Sequence, residues 1–180
     1  PYTTLFRSLF ALKRQDQGIQ YPVVQGKEHI VKWYPYREKL FAFKGKESFQ
    51  MFENQAKLLG NLTLEPLGLV GDGLFDMGKA RLRSATYNFN AIDVNAQLAD
   101  AEFDITTSNE LAFTAPSVKA HVDFDKQQGE FFKVNESIFA DIPPLMYKSY
   151  LDQFVWAIDK SELTIITPTR QKSVEQGKFY

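Results

Sequence analysis

The chain has 180 residues, of which 44% are hydrophobic and 24% charged, and its formal net charge is -1. This composition is typical of a globular protein that buries a core, and it argues against wholesale disorder. The near-neutral charge removes nucleic acid as a default partner. No run of 18 apolar residues is present, so the sequence predicts no membrane-spanning helix. Because the chain has no cysteine, disulfides, thiolate metal sites and cysteine nucleophiles are excluded.

The first eight residues are expected not to belong to the natural protein. Residues 1–8 read Pro-Tyr-Thr-Thr-Leu-Phe-Arg-Ser, which is the translation of the end of a common short-read sequencing adapter. We interpret this segment as an adapter artefact on a metagenomic fragment, the alternative being a short terminal strand, and we leave it out of fold reasoning. Residues 9–180 are expected to form one β-rich unit, an internal fragment of a larger chain.

Most of the chain carries the pattern of β-strands. Apolar residues come in short alternating runs, and turn residues recur about every ten positions, which is the spacing typical of an all-β protein. Gly71 and Gly73 interrupt one run and predict a bulge or a sharp bend there. The predicted strands cover residues 30–34, 40–43, 61–64, 69–75, 81–89, 92–98, 101–105, 111–113, 118–124 and 131–134.

Helix signals are scarce. Residues 47–59 could hold a turn or two, and residues 143–150 are the better candidate, because two prolines stand in the first turn and Asp141 lies near a cap position. After them, two apolar runs at 154–158 and 163–166 flank four polar residues, which predicts a β-hairpin.

A weak internal repeat adds to the β pattern. The five residues 94–98 match residues 118–122, which lie 24 positions later. Such self-similarity favours stacked rungs or repeated hairpins, although any alternating strand resembles another. We therefore expect an all-β fold built on an elongated or curved multi-stranded sheet, solenoid-like or groove-like, with at most one or two short helices.

His121, Asp123 and Asp125 alternate along a predicted strand, which would place all three side chains on one face. A histidine and two carboxylates could hold a hard or borderline metal ion. Same-face neighbours on a strand lie about 7 Å apart, so one ion could reach all three only if the strand bends. The alternative is a solvated polar face above an apolar one.

Two further groups of residues could carry function. Asp100, Glu102 and Asp104 also alternate, and paired carboxylates are what glycoside hydrolysis requires, although exposed acidic strands are far commoner. Trp33, Tyr34 and Tyr36 form a dense aromatic cluster, which suits stacking on sugar rings or packing in a protein interface. Alternation puts Trp33 and Tyr34 on opposite faces, so we expect at least one of the two to face the core.

The order of several sequence elements resembles a known kind of protein. A Pro-x-Gly-Leu and Gly-x-Gly element is followed by basic and aromatic strands, and a Tyr-x-x-Tyr-x-x-x-Phe-x-Trp-x-x-Asp pattern comes last. This order resembles a segment of very large β-rich envelope or surface proteins of Bacteroidota, over roughly residues 19–166. The resemblance implies no catalytic residues and places the chain in the bacterial cell envelope or outside the cell. The elements lie at residues 62–73, 79–82, 87–89, 118–126, 129–131 and 147–159.

From these observations we expect a non-enzymatic structural or interaction segment of a large cell-envelope or surface protein, without a cofactor. Its expected partners are neighbouring segments of the same chain, with a glycan or a lipid as further candidates. One alternative is a carbohydrate-binding or adhesive module that uses the aromatic cluster, and another is a lipid-handling β-groove. A glycan-active enzyme is a third, and it needs two carboxyl groups about 5 to 9.5 Å apart in a cleft. The carboxylates weighed for that enzyme are Asp100, Glu102, Asp123 and Asp125.

Overall fold

The computed structural model describes residues 2–5, 10–12, 20–104, 111–134 and 139–166. The predicted all-β class is confirmed, since the regular structure of these ranges consists of seventeen strands and two three-residue 3₁₀ helices. Eight short strands come first: β1 (Tyr2–Leu5), β2 (Phe10–Leu12), β3 (Val24–Gly26), β4 (Ile30–Tyr34), β5 (Lys39–Ala42), β6 (Phe49–Met51), β7 (Ala56–Leu59) and β8 (Leu62–Glu65). Four long strands follow: β9 (Gly68–Asp76), β10 (Ala80–Phe89), β11 (Asp93–Asp104) and β12 (Leu111–Asp123). The last five are β13 (Gln128–Lys133), β14 (Ala140–Ile142), β15 (Tyr147–Ser149), β16 (Gln153–Ala157) and β17 (Glu162–Ile166).

All strands belong to one open antiparallel sheet with the four long strands at its centre. The sheet forks on both sides of this centre. The first half of β9 pairs with β8 and its second half with β7, and two rows of short strands lead outward from there, β8–β5–β4–β1 and β7–β6–β3–β2. On the opposite side, the end of β12 pairs with β13, then β16 and β17, whereas its beginning pairs with β14 and then β15.

A line of ladder breaks crosses the whole sheet at the level of these forks, and we call this line the crease. In β10 the register shifts between Ser84 and Tyr87, and in β11 between Ala96 and Ala101. On the same line, each short strand stops and the next one continues beyond a gap. In the described ranges the gaps include residues 27–29, 43–48, 60–61 and 150–152.

The sheet is folded over along the crease, so that its two parts face each other as layers. Phe52 and Phe124 lie in turns on opposite sides of the crease, yet their rings stack with centroids 4.1 Å apart. Beside them, the side-chain amide of Gln127 donates a hydrogen bond of 2.8 Å to Oε1 of Gln55. Turns at opposite ends of extended strands can meet in this way only if the strands bend sharply at the crease.

The crease brings backbones very close together at two glycines. A Cβ atom on Gly60 would lie 1.6 Å from the Asp72 carbonyl oxygen, and one on Gly73, whose φ is +110°, would lie 2.4 Å from the Leu59 oxygen. The predicted bend at Gly73 is thus the place where β9 exchanges one partner strand for another. Only glycine allows this approach.

Side chains replace the backbone hydrogen bonds that the crease interrupts, as buried carbonyl groups require. The Tyr87 hydroxyl donates to the Leu82 oxygen at 2.8 Å, and Ser84 Oγ donates to the Leu98 oxygen at 2.6 Å. Burial raises the pKa of Tyr87 far above its ordinary value, so its hydroxyl remains a donor at every physiological pH. Backbone carbonyl groups at the crease therefore have hydrogen-bond donors, which makes the crease a specific feature of the fold.

Two groups of aromatic rings fill the space between the layers, in one continuous hydrophobic core. Ring pairs lie 4.1 to 6.2 Å apart in the first group and 4.7 to 5.8 Å apart in the second, and all but the 4.1 Å pair fall within the usual range of about 4.5 to 7 Å for aromatic contacts. The first group is Phe52, Phe75, Tyr87, Phe89 and Phe124, and the second is Phe103, Phe113, Phe131, Phe154 and Trp156.

The helix prediction at 47–59 is wrong, and the one at 143–150 is right only for a three-residue 3₁₀ helix. Residues 47–59 form the hairpin of β6 and β7, because Phe49 and Met51 alternate into the core and no helical face exists. Within residues 143–150, a 3₁₀ turn covers Pro143–Leu145, and Met146 then adopts a φ of 50° that ends it before β15 begins. The hairpin predicted at 154–158 and 163–166 is confirmed as β16 and β17.

The two similar segments at 94–98 and 118–122 are neighbours in the sheet. Val94 pairs with Val122 and Ala96 with Ala120, in antiparallel register. Their similarity therefore reflects two paired strands whose facing residues are alike and small. Of the two arrangements that the repeat favoured, stacked rungs and repeated hairpins, the antiparallel pairing agrees with hairpins.

Candidate functional site

The predicted aromatic cluster lies on a hairpin whose shape is set by proline. After β4, Pro35 starts a 3₁₀ turn, and Glu38 at a φ of 49° ends it, its N–H donating to the Pro35 oxygen at 3.1 Å. We call residues 30–42 the first proline hairpin. Its two strands are both paired on their outer sides, and Lys39 forms a 2.7 Å ion pair with Glu65 of β8.

Two of the three clustered rings are open to solvent. Tyr36 is fully exposed at the tip and Trp33 is 41% exposed, although Val31 on the same face of β4 is buried. Tyr34 is half-buried and meets Phe41 edge-on at 5.5 Å. The structure thus leaves Trp33 and Tyr36 with ring surface that a flat ligand could contact.

The predicted metal ligands are not brought together. His121 Nδ1 lies 2.8 Å from Asn95 Oδ1 and 3.9 Å from Asp93 Oδ1 on the neighbouring strand. Asp123 instead closes the turn after β12, where its carboxylate accepts the Lys126 backbone N–H and pairs with Lys126 Nζ, both at 2.9 Å. Those contacts, the backbone N–H first, hold the Asp123 pKa below its ordinary value.

Asp125 stands exposed in the same turn. No three acidic or histidine residues in the described ranges are grouped as a metal site would require. β12 ends at Asp123, so the alternation that was expected to place Asp125 on the same face as His121 stops before it reaches that residue.

The alternating carboxylates of β11 are all held by hydrogen bonds from neighbouring strands. Asp104, almost fully buried, forms a two-pronged ion pair with Arg81 at 2.6 and 2.7 Å, and Glu102 adds a bond of 3.2 Å to the same guanidinium. These contacts, the hydrogen bond to Asp104 first, raise the pKa of Arg81 above its ordinary value. Asp100 accepts the Ser117 backbone N–H at 2.9 Å. Each of these carboxylates therefore has a structural role in joining strands.

An open depression of about 440 Å³ lies over the crease, where β10 and β11 separate. Polar side chains line most of it, and Leu98 is the large apolar residue exposed there. Ser84 Oγ, at its edge, already bonds backbone groups of Thr86 and Leu98. Besides Ser84, the polar residues of the lining are Arg83, Thr86, Gln97, Asp100 and Ser117.

Sequence reasoning missed a second hairpin of the same design, at residues 140–149, which we call the second proline hairpin. Pro143 starts its 3₁₀ turn, and Met146 ends it with backbone angles within about a degree of those of Glu38. Leu145 is 72% exposed and Met146 is 96% exposed. The available signal was the charge-free run of residues 142–147, which the helix interpretation left unexamined.

The base of the second proline hairpin carries aromatic rings and lysines. Phe139 and Tyr150 contact each other with centroids 4.0 Å apart, and Lys133 Nζ lies 5.0 Å above the Tyr150 ring. Lys148 faces Asp141 at 4.0 Å. In the described ladder a single residue pair, Thr114 with Asp141, joins this hairpin to the central strands.

The last described strand is an open edge of the sheet. Among the described strands β17 pairs with β16 and with no other strand. One row of side chains crosses β13, β16 and β17 on the inner face. Its first two members, Phe131 and Phe154, are buried, whereas Ile165 at its end is 41% exposed. The row of core residues thus reaches the last described strand, where its final member is only partly buried.

Comparison with known proteins found no matching family model, and no significant match among curated proteins or solved structures. No helix in the described part of the chain is long and apolar enough to cross a membrane.

Proposed function

We propose that the chain is a non-enzymatic structural or interaction segment of a large bacterial cell-envelope or surface protein. The observation that carries this proposal is the open edge at β17, where a row of core residues ends in a half-exposed isoleucine. A neighbouring segment of the same chain pairs with that edge and covers the row. Unpaired edges are templates for strand addition, and a protein that keeps one uncovered invites association.

Several contacts support a scaffolding role for the residues once considered for chemistry. Arg81, Glu102 and Asp104 join β10 to β11, and Asp123 closes a turn. The interior of the folded sheet is filled by aromatic rings, which favours a packed structural unit over a lipid-handling groove.

The edge is tested by sedimentation analysis of the purified chain over a hundredfold range of concentration. We expect reversible association that Ile165→Lys abolishes, because an inward-pointing charge blocks strand pairing. Leu67→Lys adds the same charge at a more exposed apolar residue, in the β8–β9 turn away from the β17 edge, and should leave association unchanged. A chain that is monomeric at every concentration and melts sharply and reversibly would contradict the proposal.

The place within a larger protein is tested by recovering the complete reading frame from trimmed reads of the source sample. The proposal expects residues 1–8 to disappear and a long β-rich frame with an export signal to extend in both directions. A frame confined to about residues 9–180 would overturn it.

A carbohydrate-binding module is the second candidate, favoured by the exposed rings of Trp33 and Tyr36. Titration calorimetry against a panel of oligosaccharides tests it. If the cluster binds sugars, Trp33→Ala should remove the heat of binding, whereas Tyr147→Ala, which removes an exposed ring elsewhere, should leave it unchanged. No heat with any sugar would exclude the panel as ligands.

A further inference from the structure

We propose that the tip of the second proline hairpin, residues 143–146, inserts into the interfacial layer of a lipid bilayer. This inference uses the proposed function for the location of the chain in the envelope, and it is independent of strand pairing at β17. Its basis is the contrast between two hairpins that share one backbone shape and differ in side chains.

The tip has a low desolvation cost because it presents few open backbone donors. Pro143 and Pro144 have no N–H, and the Met146 N–H already donates to the Pro143 oxygen at 3.0 Å. Burying an unsatisfied backbone N–H group in hydrocarbon costs free energy, and three of the four tip residues have no such group. The two prolines also fix the backbone in advance, so that little conformational freedom is lost on insertion.

The side chains of the tip are apolar and project outward. Leu145 and Met146 are largely exposed, and the nearest charged residues in sequence are Asp141 and Lys148. A fluid bilayer accepts a convex apolar tip without any matching cavity, whereas a protein partner must provide a pocket of complementary shape. The convex shape therefore favours a bilayer as the occupant.

The base of the hairpin has the chemistry of a membrane interface. Tyr147 and Tyr150 are both more than half exposed, and tyrosines are enriched at the level of lipid headgroups. Lys133 and Lys148 lie beside them and can reach lipid phosphates with their long side chains. Lys148 lies 4.0 Å from Asp141 and keeps 69% of its side chain exposed. Its ammonium group is therefore within reach of a lipid phosphate.

The first proline hairpin provides a built-in control. Its tip places Arg37 and Glu38 where the second hairpin has Leu145 and Met146. Charged side chains in this position oppose insertion, so a similar backbone should stay in water.

The absence of cysteine allows a direct test. Met146→Cys and Glu38→Cys are each labelled with an environment-sensitive NBD fluorophore and mixed with vesicles of phosphatidylcholine and phosphatidylglycerol at a 3:1 ratio. We expect a blue shift and at least a twofold rise in emission at position 146, quenched by brominated lipid, and no change at position 38.

Unlabelled variants complete the test by flotation with the same vesicles. The double variant Leu145→Glu and Met146→Glu should bind vesicles at least tenfold more weakly than the original chain, and Tyr36→Glu should bind equally well. The proposal is overturned if position 146 does not respond to vesicles, including the case in which it responds to a bacterial envelope protein fraction but to no lipid. The edge proposal would survive that outcome, since its readout is self-association.

Discussion

The two proline hairpins begin with the same local signal and end in different situations. In both, a proline starts a 3₁₀ turn and a left-handed residue ends it. The first hairpin is anchored by a three-pair ladder to β8 and by the Lys39–Glu65 ion pair. The second is joined to β12 by one described residue pair and exposes an apolar tip. Local sequence therefore sets the shape of a hairpin, whereas its attachment decides whether it is a fixed part of the sheet or a projecting element.

The largest effect is expected from the ring group that underlies the side of the sheet carrying the second hairpin. Phe103 contacts four rings of that group, those of Phe113, Phe131, Phe154 and Trp156. Phe103→Ala should lower the free energy of unfolding by about 3–5 kcal/mol, through lost burial and a new cavity. Urea titration measures it. Phe132→Ala, at a neighbouring exposed ring, should cost less than about 1 kcal/mol, and equal losses would contradict this assignment of the core.

A substitution with a similarly large expected effect on stability lies on the side of the sheet that carries the first hairpin. Gly60→Ala places a methyl group against the Asp72 carbonyl oxygen, which belongs to the backbone and has no room to move. We expect a loss of about 3 kcal/mol or an unfolded chain. Gly78→Ala is the control, because its φ of +82° carries strain of about 1 kcal/mol but no atom lies near the added carbon. Thermal melts of the two variants should differ clearly, and similar midpoints would argue against the tight crossing.

Hydrogen exchange measures the difference in attachment directly. Amides of β15 should exchange at least about tenfold faster than those of β5, which corresponds to about 1.4 kcal/mol in the free energy of local opening. The physical reason is the short ladder between β14 and β12. Equal protection in the two strands would show that side-chain packing anchors the second hairpin as firmly as the ladder anchors the first.

The smallest effect concerns the turn whose Phe124 joins the two layers. Asp123→Asn removes a charged acceptor from the Lys126 N–H and Nζ and should cost about 1 kcal/mol at pH 7. Because the folded pKa of Asp123 is lowered, its contribution is present above the unfolded value near 3.8 and is lost as the pH falls through the folded pKa. The stability difference between the two proteins should therefore shrink below about pH 3.8, as measured by urea midpoints. A difference that stays constant down to pH 2 would contradict the role of this charge.

Several elements were predictable because they depend on local periodicity. The alternation in residues 30–34 and 81–89 and the polar turn between β16 and β17 identify strands and a hairpin without tertiary information. The helix predicted at 143–150 starts at the predicted prolines but ends after three residues, because proline spacing fits both an α-helix start and a 3₁₀ turn. The left-handed Met146 that separates these outcomes has no strong signal in a residue other than glycine.

The candidate sites divide in the same way. Trp33 and Tyr36 could be identified as candidate contact residues from their chemistry, but the exposure of Trp33 depends on where β4 leaves the core. The carboxylates Asp104 and Asp123 could be found but not interpreted, since their partners Arg81 and Lys126 are fixed by register and turn geometry. The second proline hairpin was overlooked because its two prolines and nearby Asp141 were interpreted as the start of a helix.

The sequence by itself determined that this protein is all-β and where most of its strands lie, because side-chain alternation acts over two residues at a time. The tertiary structure decided the crease, the contact of Phe52 with Phe124 and the exposure of Leu145 and Met146. These features depend on which strands pair and how far the sheet bends, and such long-range packing is a property of many residues together. No short stretch of sequence records it.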